Sequence, residues 1–561
     1  MIRRFFLRAL LLFHTVKYLR TGQLLYRIYY RFRKKRTHPF VRPSLRNWLK
    51  TWDAPVWQQI TWKQPDEFCF LNVSNRIGSC SDWNNDRYLK LWLYNAHYLD
   101  VLNARDMDGH VTSQRALLTR WVSENPEPIG NGWEPYCISL RLVNTIKWMS
   151  RNGQYDNLLL SSVHQQAASL FDQIEFHILG NHLFANAKAL VFAGTFCETS
   201  EANVWLEKGL KILDQQVPEQ FLNDGAHFEL SPMYHAILLW DLCDLINLSQ
   251  RSGVAFLRQR EELWKRALCD GLLWLQKMVH PDGNISFFND SALAIAPNSS
   301  ELLEYAYRIG IEVKPPKSAT VFDCTHLASS GYISVELPNN GKAILDVGRV
   351  GPDYQPGHAH ADTLSFECSL FGERVFVNSG TSEYGNSNER LRQRGTASHN
   401  TVQVNGRNSS EVWDGFRVAR RAEPQGVSIT SNGCYIKVFA SHDGYVRQGL
   451  GCTHQRSWTF TRDHLELVDR VFGEYDIAEM FLHLHPDVYV NLLDDNSVEL
   501  LLRAGKKIYL TSSGVITPLA STWHPEFGKI VPSTCLSVEF TGKLIETSIS
   551  WKQIESIGES C

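Results

Sequence analysis

The stretch Val313-Lys314-Pro315-Pro316-Lys317 divides the chain into two parts of different character. Proline lacks a backbone donor, so adjacent prolines fit neither a helix interior nor a central strand. Before this stretch apolar residues recur at helical spacing, and after it they alternate as in β-strands. The sequence therefore predicts a linker between a helical domain and a β-domain.

Helical periodicity covers most of the amino-terminal part. Between Ile138 and Met149, for example, Ile138, Leu142 and Ile146 form one stripe. Similar runs are found at residues 83–102, 158–176, 182–196, 202–217, 233–248 and 261–280. Short turn-like connections join them, so we expect helical hairpins packed side by side, either in a solenoid or closed into a toroid.

Strand-like alternation follows the linker, at residues 342–347, 363–370, 401–404, 465–469 and 497–502. Short strands without long helices predict a β-sandwich or stacked antiparallel sheets. A chain of 561 residues exceeds one ordinary core. We therefore predict an α+β multidomain protein with a basic amphipathic segment at residues 1–40, a helical domain at 41–315 and an antiparallel β-domain at 316–561.

The composition is that of a globular protein that does not span a membrane, with 43% hydrophobic residues and a mean hydropathy of -0.25. A net charge of -2 gives no reason to expect nucleic acid as a partner. The 12 cysteines form no Cys-x-x-Cys motif, and Cys243 and Cys368 lie in apolar runs that predict burial. This usage favours a reducing compartment.

Residues 2–36 combine basic and apolar residues. Their longest apolar run, from Ala9 to Phe13, is far shorter than the roughly 20 residues that span a bilayer. We find no signal-peptide pattern, which favours a cytoplasmic or peripheral membrane location, with the periplasm as the alternative. The segment fits either an amphipathic helix on an anionic membrane surface or a basic helix packed on the main body.

Polar motifs occur in both parts of the chain. Residues 357–362 read Gly-His-Ala-His-Ala-Asp, and residues 394–401 read Arg-Gly-Thr-Ala-Ser-His-Asn-Thr. Histidines presented by neighbouring strands are typical of a metal or acid/base site. In the helical part, Ser231 and Pro232 predict a helix start that places Tyr234 in the first turn. Asn181 precedes an apolar helix, where a structural N-cap is the alternative to a catalytic role.

Together these motifs resemble the heparinase II/III family of polysaccharide lyases. The resemblance rests on Gly-Asn-His-Leu-Phe-Ala-Asn at residues 180–186, Glu-Leu-Ser-Pro-Met-Tyr-His at 229–235 and the two motifs quoted above, in the same order. It extends from about residue 80 to at least residue 420. It implies an incomplete α/α toroid followed by an antiparallel β-sandwich, and cleavage of a uronic-acid-containing acidic polysaccharide by β-elimination.

The resemblance also implies the residues of the site. Elimination removes the weakly acidic C5 proton of a uronate, so the neighbouring carboxylate must be neutralised as negative charge develops. The implied catalytic residues are Asn181, His182, Tyr234 and His358. The implied substrate-binding residues are Arg394, Trp133, Tyr136 and Arg141. The division of acid and base roles between Tyr234 and His358 stays open at this point.

A structural divalent cation, usually zinc, is a further implication of the resemblance. The matching ligand positions are His360, Asn378 and His399. Family members commonly have aspartate at the position of Asn378. A neutral amide oxygen is a weaker ligand than a carboxylate, so we expect lower zinc affinity or a different ion.

Three other functions use similar residues. A uronate C5-epimerase would abstract the same proton and return it. A non-catalytic polysaccharide-binding protein of capsule or O-antigen assembly would need no proton transfer. A glycoside hydrolase would need two carboxylates, for which Glu229 and Asp224 are available. For the substrate, a bacterial exopolysaccharide, capsule or O-antigen is our hypothesis.

Overall fold

The computed structural model describes residues 2–64, 66–107, 109–313 and 322–551. Most of the predicted linker, residues 314–317, lies outside these ranges. The last helix of the amino-terminal part ends at Arg308, and the first strand of the carboxyl-terminal part begins at Asp323. The described chain thus passes from helices to strands on either side of the proline pair.

Twelve helices precede the linker in the described residues. They are α1 Ile2–Val16, α2 Thr21–Phe32, α3 Lys90–Tyr98, α4 Val111–Glu124, α5 Pro135–Asn152, α6 Asn157–Asp172, α7 Gly180–Phe196, α8 Ser200–Gln220, α9 Pro232–Ser252, α10 Ala255–Arg258, α11 Glu261–Met278 and α12 Ser299–Arg308. Two short helices follow it, α13 Asn388–Gln393 and α14 Gly444–Arg447.

Strands β1 Trp62–Gln64, β2 Glu67–Phe70 and β3 Val73–Arg76 form a small sheet between α2 and α3. The others are β4 Asp323–Leu327, β5 Tyr332–Leu337, β6 Gly341–Asp346, β7 Phe366–Leu370, β8 Glu373–Phe376, β9 Val402–Val404, β10 Val412–Trp413, β11 Arg417–Val418, β12 Pro424–Ser431, β13 Ile436–His442, β14 Thr453–Phe460, β15 His464–Phe472, β16 Ala478–His483, β17 Tyr489–Asp494, β18 Ser497–Leu501, β19 Lys507–Ser512, β20 Ile516–Trp523, β21 Val531–Glu539 and β22 Leu544–Ser550.

The helical part is an incomplete α/α toroid, as predicted, and its core is built around the nearly fully buried α7. Helices α5, α8 and α9 pack on α7, and α11 and α12 pack on α9. Helix α9 begins as predicted, because Ser231 Oγ accepts a hydrogen bond from the Tyr234 backbone N–H at 3.2 Å. One predicted helix is shorter than expected. Within the run at 83–102, α3 is followed by a 3₁₀ turn at Asp100–Asn103, and α3 ends before Leu99 because that residue takes a left-handed conformation at φ 55°.

The carboxyl-terminal part contains the predicted antiparallel sandwich. A five-stranded sheet in the order β4-β5-β6-β7-β8, a four-stranded sheet in the order β20-β21-β16-β9 and an eight-stranded sheet in the order β12-β13-β14-β15-β22-β19-β18-β17 share one apolar core. Strand β14 alternates between half-buried and buried residues along its whole length, which is the expected pattern for a strand with one face in this core. Cys243 and Cys368 are buried, as predicted.

A separate apolar cluster joins the two parts. Leu230, Trp274 and Phe288 of the toroid pack with Tyr332 and Ile344 of the β-domain. The Tyr332 hydroxyl donates to the Leu230 carbonyl at 2.8 Å. This contact holds the toroid loops before α9 and α12 against the β-domain, and the polar residues of those loops form the candidate site. Among the described residues, no helix is both long and apolar enough to cross a membrane.

Candidate active site between the two domains

The first turn of α7 lies at the domain boundary. Leu179 precedes it at φ 70°, and a side chain on Gly180 would collide with Gln355 and Glu229, which lie 2.2 and 2.5 Å from its ideal Cβ position. The Asn181 backbone N–H donates to Glu229 Oε1 at 3.0 Å. Asn181 therefore lies inside the first turn, and its side chain does not act as the N-cap.

The Asn181 side chain is buried beside the same carboxylate. Its Nδ2 lies 3.5 Å from Glu229 Oε2, and its Oδ1 has no hydrogen-bond partner. Burial raises the pKa of Glu229, against the opposing effect of His358. A protonated Glu229 would place no negative charge next to Asn181, so this corner can accept an anionic group.

His182 follows on the same turn. Its Nδ1 lies 3.1 Å from Glu175 Oε1, and its ring lies 4.4 Å from the ring of half-buried Tyr136. Burial alone would lower the pKa of His182, but the Glu175 carboxylate outweighs burial and raises it. His182 and Tyr136 thus form an aromatic wall beside Asn181, and the raised pKa of His182 favours its cationic form.

Tyr234 projects from the first turn of α9 towards the β-domain. Its hydroxyl lies 2.9 Å from the hydroxyl of Tyr384, and its ring centroid lies 4.0 Å from that of His358. Burial, followed by the proximity of Tyr384, raises the pKa of Tyr234 well above its ordinary value. Tyr234 is therefore a neutral phenol that holds its proton.

His358 is fixed by a carboxylate from the toroid. Its Nδ1 lies 2.8 Å from Asp290 Oδ2, and its Nε2 lies 3.5 Å from Glu229 Oε2. When Asp290 accepts the Nδ1–H, the lone pair of a neutral imidazole is on Nε2. That atom faces the corner formed by Asn181 and Glu229.

Asp290 is the most heavily bonded residue of the site. Arg390 binds both of its oxygens through its two terminal nitrogens, and His360 Nε2 lies 2.9 Å from Oδ1. Burial opposes ionisation of Asp290, but the Arg390 charge and the two imidazole hydrogen bonds outweigh it and hold its pKa well below the ordinary value. Asp290 thus carries a fixed negative charge that orients both histidines.

Three predicted substrate-binding residues are corrected by their burial. The Arg394 guanidinium is fully buried and donates to backbone carbonyls, including that of Ala359 at 2.9 Å. Arg141 is equally buried and bonds to Gln166 and to backbone carbonyls. The Trp133 ring is in the core, with its Nε1 donating to the Asn125 carbonyl at 3.0 Å. Their polar groups are used inside the protein, where they support the walls of the site.

The predicted metal ligands lie together behind His358. The ring centroids of His360 and His399 are 5.2 Å apart. His360 Nδ1 and both ring nitrogens of His399 are buried without hydrogen-bond partners, and Asn378 Oδ1 accepts only a long bond of 3.4 Å from the Asn400 N–H. Two neutral imidazoles with free nitrogens fit a cation such as Zn²⁺. No carboxylate or thiolate completes the set, since the described residues contain no group of three or more His, Cys, Asp or Glu placed to hold a metal.

Sequence reasoning missed Asp290, Arg390, Tyr384 and Glu175. Asn289-Asp290 between Phe288 and Ser291 was a detectable signal, because a carboxylate in an apolar loop needs a partner. Tyr384 carried no comparable signal. Asp224 is held by Ser330, whose N–H and Oγ both lie 2.8 Å from Oδ2. Its carboxylate is thus engaged in a structural contact, and the hydrolase alternative gains no support from it.

Polar residues thus converge from a toroid and from the antiparallel sandwich that follows it. Residues 115–309 match the family model for the heparinase II/III N-terminus, and residues 320–552 match that for the heparinase II/III-like C-terminal domain. The chain belongs to the heparinase II/III family.

Curated relatives are similar over part of their length. A heparin-sulfate lyase of Bacteroides stercoris is 26% identical over 277 residues, which cover 46% of this chain and 40% of the relative. A heparin-sulfate lyase of Pedobacter heparinus is 24% identical over 345 residues, which cover 56% of this chain and 47% of the relative. The match therefore spans less than half the length of either relative.

Solved structures share the fold at low identity. The crystal structure of heparinase III superposes with a TM-score of 0.66 at 17% identity, covering 86% of this chain and 79% of the other. The heparan sulfate lyase from Pedobacter heparinus gives a TM-score of 0.58 at 18% identity, covering 86% of this chain and 80% of the other. Both confirm the predicted combination of toroid and sandwich.

Proposed function

We propose that this protein is a polysaccharide lyase that cleaves a uronic-acid-containing acidic polysaccharide by β-elimination. The observation that carries the proposal is the convergence of Tyr234, His358 and Asn181, drawn from both domains, around a corner lined by Glu229. Family membership and the names of the curated relatives support the same reaction.

The geometry supports a division of the two proton transfers. His358 Nε2, with Nδ1–H bonded to Asp290, is the acceptor for the uronate C5 proton. Tyr234 is a neutral phenol and donates its proton to O4 as the C4–O4 bond breaks and the C4–C5 double bond forms. The Tyr384 hydroxyl, 2.9 Å from that of Tyr234, can return a proton to it. The proton taken by His358 leaves to solvent, and Tyr384 regains its own proton from solvent, so the cycle balances.

Residues at the first turn of α7 would stabilise the negative charge of the substrate. The uronate carboxylate gains negative charge as C5 loses its proton, and donors aimed at this charge lower the barrier. Asn181 Nδ2 and the cationic His182 are the donors in reach, and the positive end of α7 adds to them. Glu229 must carry a proton for this to work, which is the direction in which burial moves its pKa.

A structural divalent cation is part of the proposal. His360 and His399 would hold it through their free ring nitrogens, with Asn378 Oδ1 as a weaker third ligand. Such an ion would fix the segment that carries His358. The protein residues perform both proton transfers themselves.

The test is a screen for new ultraviolet absorbance, which reports the unsaturated uronate that elimination creates. The substrates are heparan sulfate, alginate, hyaluronan and acidic capsule or O-antigen polymers of bacterial origin, the source that we propose. Growth of absorbance that depends on Tyr234 supports the lyase. Proton exchange at C5 without absorbance would instead indicate an epimerase, and binding without either change would indicate a non-catalytic protein.

A further inference from the structure

The two amino-terminal helices present apolar stripes to solvent. On α1, Phe6, Leu10 and Phe13 follow the four- and three-residue spacing of one helix face and are between 42% and 67% exposed. On α2, Leu25, Ile28 and Phe32 follow the same kind of spacing and are between 58% and 80% exposed. Exposed apolar residues are ordinary when single, but two helical stripes indicate a surface that meets a partner.

The opposite face of α2 is held to the protein by polar contacts. Gln23 is buried and donates to the Tyr354 carbonyl at 3.1 Å. Arg33 pairs with Asp172 at 2.8 Å. Because these contacts fix the helix from its polar side, the apolar stripe is left facing away from the body. The segment is therefore packed on the protein and still leaves its apolar surface open.

The charge of this region has one sign. Residues 1–52 contain 14 Lys and Arg and no Asp or Glu, while the whole chain has a net charge of -2, so the remainder carries -16. On α2, Arg27 and Arg31 are exposed beside the apolar stripe. A cationic helix with an exposed apolar face has the two properties that bind a helix into the headgroup region of an anionic bilayer.

We propose that α1 and α2 form a docking surface for an anionic lipid membrane, with their apolar stripes inserted among the acyl chains and their cations on the headgroups. A second copy docked through the same two helices fits less well, because it would bring like charges together. An apolar protein partner would leave the basic residues without counter-charge.

The docking surface lies next to the candidate active site. Thr15 on α1 accepts a hydrogen bond at 3.0 Å from Trp413 in the short hairpin β10-β11. Phe416 in the turn of that hairpin lies 6.2 Å from the His358 ring and 5.2 Å from the Tyr384 ring, measured between centroids. A membrane bound by α1 and α2 would thus lie beside the cleft, where polymer at a membrane surface would be in reach.

Vesicle co-sedimentation of the full chain tests the docking surface. We expect binding to phosphatidylcholine vesicles that contain phosphatidylglycerol, little binding to pure phosphatidylcholine, and loss of binding as ionic strength rises. Equal binding to both vesicle types, or no binding to either at low salt, would overturn the proposal. This readout is independent of catalysis.

A matched pair of variants distinguishes binding through the apolar stripe of α2 from non-specific binding by any exposed apolar residues. The triple variant Leu25→Ser, Ile28→Ser, Phe32→Ser should weaken vesicle binding by about tenfold or more, since it removes the inserted side chains. The control Tyr489→Ser, Leu492→Ser, Leu493→Ser changes residues of β17 that are 52% to 67% exposed, and should bind as the unaltered chain does. Equal binding by the two variants would contradict the proposal. The proposal would also be contradicted if the unaltered chain formed a dimer and bound no vesicles, and if the α2 variant were a monomer.

Discussion

Tyr234 and Tyr384 come from different domains, and their hydroxyls lie 2.9 Å apart. Tyr234 belongs to the first turn of α9, whereas Tyr384 lies between β8 and α13. Either hydroxyl can be the donor, so a proton lost by one can be replaced by the other. The pair exists only when the toroid and the sandwich are assembled, so the proton transfer that we propose depends on contact between the two domains.

Removing the Tyr234 hydroxyl should abolish most of the turnover. We expect Tyr234→Phe to lower kcat by about 10²- to 10⁴-fold, because general acid catalysis commonly contributes that much. The control is Tyr445→Phe, whose buried hydroxyl donates to the Val402 carbonyl at 2.7 Å, away from the cleft. Initial rates from ultraviolet absorbance compare the two. Similar rates for Tyr234→Phe and the unaltered enzyme would refute the acid role.

Replacing Asp290 by asparagine should harm both folding and turnover. The change leaves Arg390 buried without its counter-charge, which typically costs about 3–5 kcal/mol of unfolding free energy. It also removes the negative charge, and one of the two acceptor oxygens, that orient His358 and His360. Urea denaturation gives the stability, and the rate per folded molecule gives the effect on catalysis.

The sandwich contains a matched control for that variant. Asp469 is buried, accepts two hydrogen bonds from Arg456 at 2.7 and 2.9 Å, and lies 2.7 Å from His454 Nε2. Asp469→Asn should therefore destabilise the protein to a similar degree and leave the rate per folded molecule unchanged. A proportional loss of rate in both variants would mean that Asp290 acts only through stability.

The His182–Glu175 pair should make stability depend on pH. The folded-state pKa of His182 is raised, so its stabilisation is complete below the unfolded value of about 6.5 and is lost as the pH rises through the folded value. Glu175→Gln should thus cost about 1 kcal/mol more near pH 6 than near pH 9, a magnitude expected for a partly buried pair.

Denaturation of Glu175→Gln and a control at both pH values checks this dependence. The control is Glu261→Gln, which breaks an ion pair with Lys265 at 3.1 Å that contains no histidine. Its cost should be the same at both pH values. A cost for Glu175→Gln that does not change with pH would show that His182 is not charged in the folded protein.

Zinc should bind weakly to the unaltered protein and more tightly after Asn378→Asp. The new carboxylate would give His360 and His399 the anionic third ligand that they lack, so we expect affinity to rise by about tenfold or more. Metal content after dialysis and the rise of Tm with added zinc measure it. His399→Ala is the negative control. Zinc that shifts the Tm of neither the unaltered protein nor Asn378→Asp would exclude the metal site.

Much of the fold was accessible from periodicity, since helices and strands with one buried face repeat every 3.6 or 2 residues. The strand patterns at 401–404 and 465–469 appear as β9 and part of β15. The break at Leu99 was not predictable, because a leucine at positive φ carries no local sequence signal and is maintained by the packing around it.

The site was predicted where residues belong to compact motifs. Asn181, Tyr234 and His358 lie together as the resemblance implied, but the partners that orient them come from distant segments. Burial could not be predicted for the other candidate residues. Arg394 and Arg141 look like ligand-binding residues in sequence, yet their guanidinium groups are enclosed by carbonyl oxygens. Which arginine faces solvent depends on tertiary packing, and a local motif does not encode it.

Leu179 and Leu230 both hold positive φ angles, of 70° and 57°, one residue away from Gly180 and Glu229 respectively. Non-glycine residues in this region cost free energy that the surrounding contacts must offset. Glycine at either position would remove that strain but would also delete a leucine side chain that packs on the surrounding apolar core, which costs more. Selection for heat resistance should therefore keep a large apolar side chain at both positions, and with it the backbone shape that surrounds Asn181.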